Sequence, residues 1–526
     1  MLNRRLLLTG TAAAALALHR LPVHAARHDS PLSAEARAAH LLNRLGYGPR
    51  PGDIATVAQD PEAWIAQQLQ PTRLPLPEAL AQKLRDEPML AGGDPIAALR
   101  DYLVLLQRNR QEARAAASPA AMAASATVPE PERGPIVELL RNHQGPALAS
   151  RLYRALESPR QLEEVMVDFW FNHFNVYQNK NWMRVLVGAY EHQAIRPHAL
   201  GRFRDLLGAT AHHPAMLYYL DNWQSAGGRA AGARGLNENY ARELMELHTL
   251  GVDGGYTQQD VTQLARMLTG WTIVPPRVRD GLVEPGAASG TAPGRGDAMP
   301  GFWFNARLHD RGDKLWLGRS VSGAGQAEGE QALDVLAAHP ATARHIATRL
   351  ATYFVSDQPP PALVNQLARV FQAEDGQIVP VLRTLFASDA FWSADAVGAK
   401  FKTPYHYALS ALRAGGYTLT ALRPLAGTLA AQGMPLYGCQ TPDGYKNTES
   451  AWLNPDGMSK RINFATQLAM GRLANETLGG GLEAEALLQH LGPLVTPATR
   501  TLADRHQQDP VLAAALVLAG PGMMRR

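Results

Sequence analysis

The 526-residue sequence predicts a mainly α-helical protein, a large multi-helix, bundle-like domain with at most a short β-hairpin. Three observations lead there. Ser, Asp, Asn or Thr repeatedly precedes apolar residues spaced three and four apart, the pattern of capped amphipathic helices. Runs with the alternation of a strand are few. The single cysteine, Cys439, allows no intramolecular disulfide, so stability must come from packed cores, for which a 46% hydrophobic composition is ample.

In chain order, Ser33 can cap a helix that ends at Leu45 before Gly46, Asp53 starts a second, and Pro61 starts a third that runs to Leu69. Asp94 and Pro95 begin a helix through Gln111. Ser158-Pro159-Arg160-Gln161 has the form of a capping box, with Pro159 at the first helical position. The helix after it carries Leu162, Met166, Phe169 and His173 on one apolar stripe, with Asp168 and Asn172 on a more polar side. Asn237 to Leu250 reads as a helix closed by Gly251, and Thr257 with Asp260 starts the next, which Gly270 ends. Trp303-Phe304-Asn305 and Leu315-Trp316-Leu317-Gly318 suggest the two arms of a short hairpin. From Gly329 onward helices return, including one started by His339-Pro340 that contains Ile346, Leu350 and Phe354. Residues about 115–134, 224–236 and 275–301 are rich in Ala, Pro, Gly or Ser and read as flexible loops. Residues 30–526 are expected to form a single large helical domain, or two subdomains split near 275–300.

A net charge of +4 without an Arg/Lys-dense, aromatic-interleaved face argues against nucleic acid as partner. The leader places Arg4-Arg5 before an apolar run ending at Leu18, and Val23-His24-Ala25 offers small residues for cleavage. Residues 1–25 therefore read as a signal peptide of twin-arginine type, with Asn3 standing where Ser or Thr is usual. The expected location is periplasmic or secreted in a bacterium. No later segment has the roughly 18 uninterrupted apolar residues of a membrane span, so no transmembrane anchor is expected after cleavage.

Chemistry-bearing residues are densest between Asn237 and Thr272. On a regular helix, Asn239, Glu243, Glu246 and Leu250 share one face and His248 points away from it. Carboxylates three residues apart can share a divalent metal, hold a guanidinium, or divide acid and base roles. The Glu-x-x-His spacing of helical di-metal carboxylate sites is absent, since His248 follows Glu246 by two residues. Ordinary ion pairs with Arg242 or Arg266 are the structural explanation for the same carboxylates. Asp260 reads as a capping residue. His173, on an apolar stripe, reads as a hydrogen-bonded core histidine unless it meets Glu243 or Glu246, when a buried His–carboxylate pair would form. His309-Asp310 reads as a turn and His212-His213 as a helix boundary. Signatures of serine hydrolases, zinc peptidases, haem attachment, phosphate loops and dinucleotide binding are missing.

His40-Leu41-Leu42-Asn43-Arg44-Leu45-Gly46-Tyr47-Gly48, Phe169-Trp170-Phe171-Asn172-His173-Phe174, the Asn237–Thr272 stretch, His339-Pro340-Ala341-Thr342-Ala343, Lys400-Phe401-Lys402-Thr403-Pro404 and Trp452 together resemble the bacterial family called domain of unknown function 1800. The resemblance covers nearly the whole mature chain. It implies a large, mainly helical exported protein, and a second exported protein encoded nearby as partner. Pro442-Asp443-Gly444-Tyr445 departs from the family pattern, where Gly-Trp is more usual. The family supplies no established catalytic residues to transfer.

Two functions are consistent with the sequence. One is an envelope or extracellular enzyme in which Glu243 and Glu246 are acid–base groups or ligands of a divalent metal, supported by Asn172 and His173. The other is a non-catalytic envelope scaffold that binds a partner protein and pairs those carboxylates with arginines in a closed core.

Overall fold

Ser33 opens the first described helix, Ala34–Arg44, by accepting a hydrogen bond from the backbone N–H of Ala36 at 3.2 Å. The computed structural model describes residues 32–86, 93–116, 134–227, 235–274, 276–279, 282–285, 299–474 and 476–526. The expected signal peptide and most of the three expected loops lie outside them.

The chain is mainly α. Many helices start where the sequence expects: Asp53–Val57, Pro61–Gln68, Pro95–Ala116 and Pro340–Phe354. His339 caps the last of these through Nδ1, 3.1 Å from the Ala341 N–H. Thr257 and Asp260 form the expected reciprocal capping box for Gln258–Met267. The helix expected from Pro159 instead begins two residues later and spans Gln161–His173. Gln161 is used in tertiary contacts, accepting from Tyr47 N at 3.1 Å and donating to Ser158 O at 2.8 Å, so its side chain is not free to close a box.

The β structure among the described residues is four small two-stranded antiparallel sheets, more than the one hairpin expected. Both arms of that hairpin are strands, but they do not pair with each other. Phe302–Phe304 pairs with Trp271–Ile273, and Lys314–Trp316 pairs with Arg319–Val321. The reason is local. Leu317 and Gly318 both have positive φ (47° and 73°), the conformation of a two-residue hairpin turn, which folds the second arm onto the residues that follow it.

Buried residues from Ala38 to Met524 form one core cluster. Trp170, Trp271 and Trp316 are among its largest fully buried side chains, and Trp170 Nε1 is satisfied by Ala199 O at 2.9 Å. Among the described residues, no helix is long and apolar enough to cross a membrane.

Candidate functional site

Three helices and a loop enclose a cavity of about 170 Å³. Gln161–His173 contributes Asp168, Phe169 and Asn172, which fall on one face because they are three and four residues apart. Pro340–Phe354 contributes Arg349, Thr352 and Tyr353 by the same spacing. Thr403 caps Pro404–Ala414 and lines the cavity together with His406 from the first turn of that helix. The fourth wall is the 434–448 loop, through Met434, Asp443 and Tyr445 to Thr448.

Asn172 fixes this loop. Its Nδ2 donates to Tyr445 O at 2.9 Å and its Oδ1 accepts from Tyr445 N at 2.7 Å. Gly444 permits the approach. Its φ is +72°, and a β-carbon there would sit 2.7 Å from Asn172 Oδ1 and nearer still to the Asn172 backbone oxygen. Asn172, read from sequence as a supporting site residue, is therefore a cavity wall that positions the loop.

Asp168 is the cavity end of a buried ionic network. Arg151 bridges Asp168 (2.5 Å) and Glu191 (2.8 Å), and Arg196 holds Glu164 (2.8 Å) and Glu191 (3.3 Å). Tyr437 adds a hydroxyl donor to Glu191 at 3.0 Å. Burial raises the Asp168 carboxyl despite Arg151.

His406 is fixed in one tautomer. Its Nε2 lies 3.0 Å from an Arg526 guanidinium nitrogen, which can only donate, so Nε2 accepts and Nδ1 carries the proton. That proton goes to Thr403 Oγ1 at 3.1 Å, leaving the Thr403 hydroxyl hydrogen free to donate to something else. Burial, then the charges of Arg526, Lys402 and Lys400, hold His406 well below its ordinary range, so it is neutral.

Arg349 stands apart. It is half-buried on the cavity wall, and its guanidinium makes no hydrogen bond or ion pair among the described residues. Burial lowers its pKa, and Asp443 acts on it only at a distance. Asp443 itself is engaged by Lys446 (2.6 Å) and Thr441 (2.5 Å). These bonds outweigh burial and keep the Asp443 carboxyl below its ordinary value.

The Asn237–Thr272 stretch adjoins this site. The helix expected to continue to Leu250 is α-helical only over Asn239–Glu243, and Leu244–His248 forms a π-helical turn. Thr249 Oγ1 closes it by donating to Leu244 O at 2.6 Å. Such turns interrupt helices at functional positions. Here the turn places His248 in the core against Phe174, with ring centroids 5.0 Å apart.

Glu243 and Glu246 are both half-buried. Neither makes a hydrogen bond or ion pair with a described residue; Arg242 pairs with Glu238 (3.1 Å) and Gln258 (2.9 Å), and Arg266 pairs with Asp310. The arginine pairing that the scaffold reading expects is thus absent for these two carboxylates. Burial first, then repulsion from Glu246, raises the Glu243 carboxyl; Arg242 opposes and Asp443 adds to the rise. Asp443 is the electrostatic link between Glu243 and the cavity.

His173 does not join the glutamates. Its Nε2 donates to the backbone oxygen of His248 at 3.0 Å, and its Nδ1 is buried without a partner. The charged or titratable groups acting on it are Arg349, His345 and His248, with no carboxylate among them, and together with burial they push it well below its ordinary range. Among the described residues no group of three or more His, Cys, Asp or Glu side chains is arranged to hold a metal ion. A divalent metal on Glu243 and Glu246 would lack a third side-chain donor of these types. Cys439 is buried, its thiol pushed up chiefly by burial.

Sequence reasoning missed Arg349, Thr403, His406 and Asp443. Thr403 lies within the Lys400–Pro404 segment, His406 follows it, and Arg349 lies on the helix that His339-Pro340 begins, so the signal lay in or beside recognised segments. Asp443 lies in the stretch that departs from the family pattern.

The family model described as "Protein of unknown function (DUF1800)" matches residues 40–525, and the chain belongs to that family. Neither the curated proteins nor the solved structures yield a match.

Proposed function

We propose that this member of the family is an exported bacterial enzyme that takes a small polar molecule into the Asn172–Arg349–Asp443 cavity and uses Glu243 and Asp443 as an acid–base pair. One observation carries the reading. Two carboxylates that act on each other electrostatically are driven in opposite directions, Glu243 upward by burial and Glu246, Asp443 downward by Lys446 and Thr441. Environments that separate two carboxyl groups in this way favour one as proton donor and the other as acceptor. Two segments that carry the family resemblance, through Phe169, Asn172 and Thr403, line this one cavity, which supports its use by this protein. Export to the periplasm or medium rests on the Arg4-Arg5 leader and the Val23-His24-Ala25 triplet, and a second exported protein remains the proposed partner. Glu246 tunes Glu243 by repulsion. A metal bridging the two glutamates would need a ligand or partner to complete its coordination.

The test is turnover in a mixture. The mature protein is incubated with small molecules extracted from the host's envelope and medium, and the extract is compared by mass spectrometry before and after. Wild type is expected to deplete at least one species, with the rate falling about 100-fold or more in Glu243→Gln and Asp443→Asn. Depletion at the wild-type rate in both variants contradicts the acid–base assignment.

A further inference from the structure

Beneath the cavity lie several buried basic groups with few carboxylate partners among the described residues. Arg526, fully buried, bonds His406, the Tyr353 backbone oxygen and Asn447 Oδ1 but no carboxylate side chain among the described residues, and its Nε has no partner there. The Lys402 ammonium, also buried, bonds only Ser410 Oγ, at 2.7 Å, among the described residues. Arg44 binds two backbone oxygens, those of Phe354 and Ala396, and of these four groups only Lys400 meets a carboxylate among the described residues, Asp357. Asp168 is neutralised by Arg151, and Asp443 by Lys446.

Arg349 then presents an unpaired guanidinium to the same cavity. The histidines behind it are not counter-charges: burial and Arg349 itself hold His173, His248 and His345 in the neutral form. A half-buried guanidinium without a counter-charge is costly unless something supplies one. Its planar fork matches the two oxygens of a carboxylate, phosphate or sulfate. The freed Thr403 hydroxyl, the Thr352 hydroxyl and the Asn447 amide N–H group, whose Oδ1 is taken by Arg526, are neutral donors suited to the remaining oxygens.

We propose that this cavity is an oxyanion site, with Arg349 as the anchoring group, so that the molecule bound by this protein carries a phosphate, sulfate or carboxylate. This inference rests on the cavity being a ligand site, as in the proposed function, and specifies the class of ligand.

The experiment is thermal denaturation and calorimetric titration of the mature chain with inorganic phosphate, sulfate and acetate, each against chloride at matched ionic strength. At least one oxyanion is expected to raise the Tm saturably in wild type. Phosphate or sulfate acting without acetate identifies a tetrahedral group, and acetate acting alone identifies a carboxylate. Arg349→Lys keeps the charge and loses the fork, so affinity should fall about 10-fold. Arg349→Met should abolish the effect while remaining at least as stable as wild type in chloride, since it removes an unpaired charge. Lys460→Met, an exposed control paired with Asp456, should bind as wild type. No oxyanion effect in wild type, or an undiminished effect in Arg349→Lys or Arg349→Met, overturns the inference. A neutral sugar or amide that raises the Tm when no oxyanion does also overturns it, and leaves the ligand cavity of the proposed function standing.

Discussion

Asn172 and Tyr445, 273 residues apart, are joined by two hydrogen bonds of 2.9 and 2.7 Å that lay the 434–448 loop against the Gln161–His173 helix. The pair works as a clamp. It turns a surface segment into a wall of the cavity and sets the position of Asp443, two residues before Tyr445.

Removing the clamp should loosen the loop without unfolding the helix. Asn172→Ala leaves a backbone N–H and C=O without their partners, a cost of about 1–3 kcal/mol. Gly444→Ala should cost a similar amount through backbone strain at φ +72° and collision with Asn172. Hydrogen exchange is the discriminating measurement. Faster exchange confined to the 434–448 loop is expected in both variants, and unchanged exchange there would show that the clamp does not hold the loop.

The Arg151 network should be far less tolerant. Arg151→Met leaves Asp168 and Glu191 buried with one cation fewer, and breaking a buried pair in this way costs about 3–5 kcal/mol. Urea unfolding measures it. A loss under about 1 kcal/mol, the range of exposed ion pairs, would contradict the buried placement of these charges.

Acid should destabilise the protein through its buried histidines. His40, His213 and His248 are each lowered from 6.5 to about 3 by burial. Between those values the unfolded chain binds more protons than the folded one, so stability rises with pH through this window and is fully present above about 6.5. Each histidine contributes a slope of up to about 1.4 kcal/mol per pH unit. Lys402, lowered from 10.5 to about 7, has the same sign on the alkaline side, where stability should rise until the unfolded lysine also loses its proton. Urea midpoints that fall steeply below about pH 6.5, and more gently in His248→Gln, are expected; a flat acid profile would contradict the neutral, buried histidines.

These outcomes also mark what the sequence could disclose. Capping signals such as Ser33 and the Thr257–Asp260 pair act within four residues, so they were legible and correct. The polar pair Asp168 and Asn172 was visible beside the apolar stripe, although Asp168 contacts Arg151 on the preceding helix and Asn172 contacts Tyr445, 273 residues on. The π turn at Leu244–His248 was not legible, because its periodicity differs from an α-helix over only five residues. Arg349 was invisible for another reason. A lone arginine on an amphipathic helix looks solvent-facing, and only the fold shows that no carboxylate among the described residues pairs with it. The hairpin arms were recognised, but their partners depended on the left-handed Leu317–Gly318 turn.

The most direct measurement of the central claim is a crystal structure of the protein isolated from its own host. A ligand in the 170 Å³ cavity, with an acidic group on Arg349 and the Asn172–Tyr445 clamp intact, is the predicted result. A collapsed cavity in which Arg349 has closed onto Asp443 as an internal ion pair would contradict it.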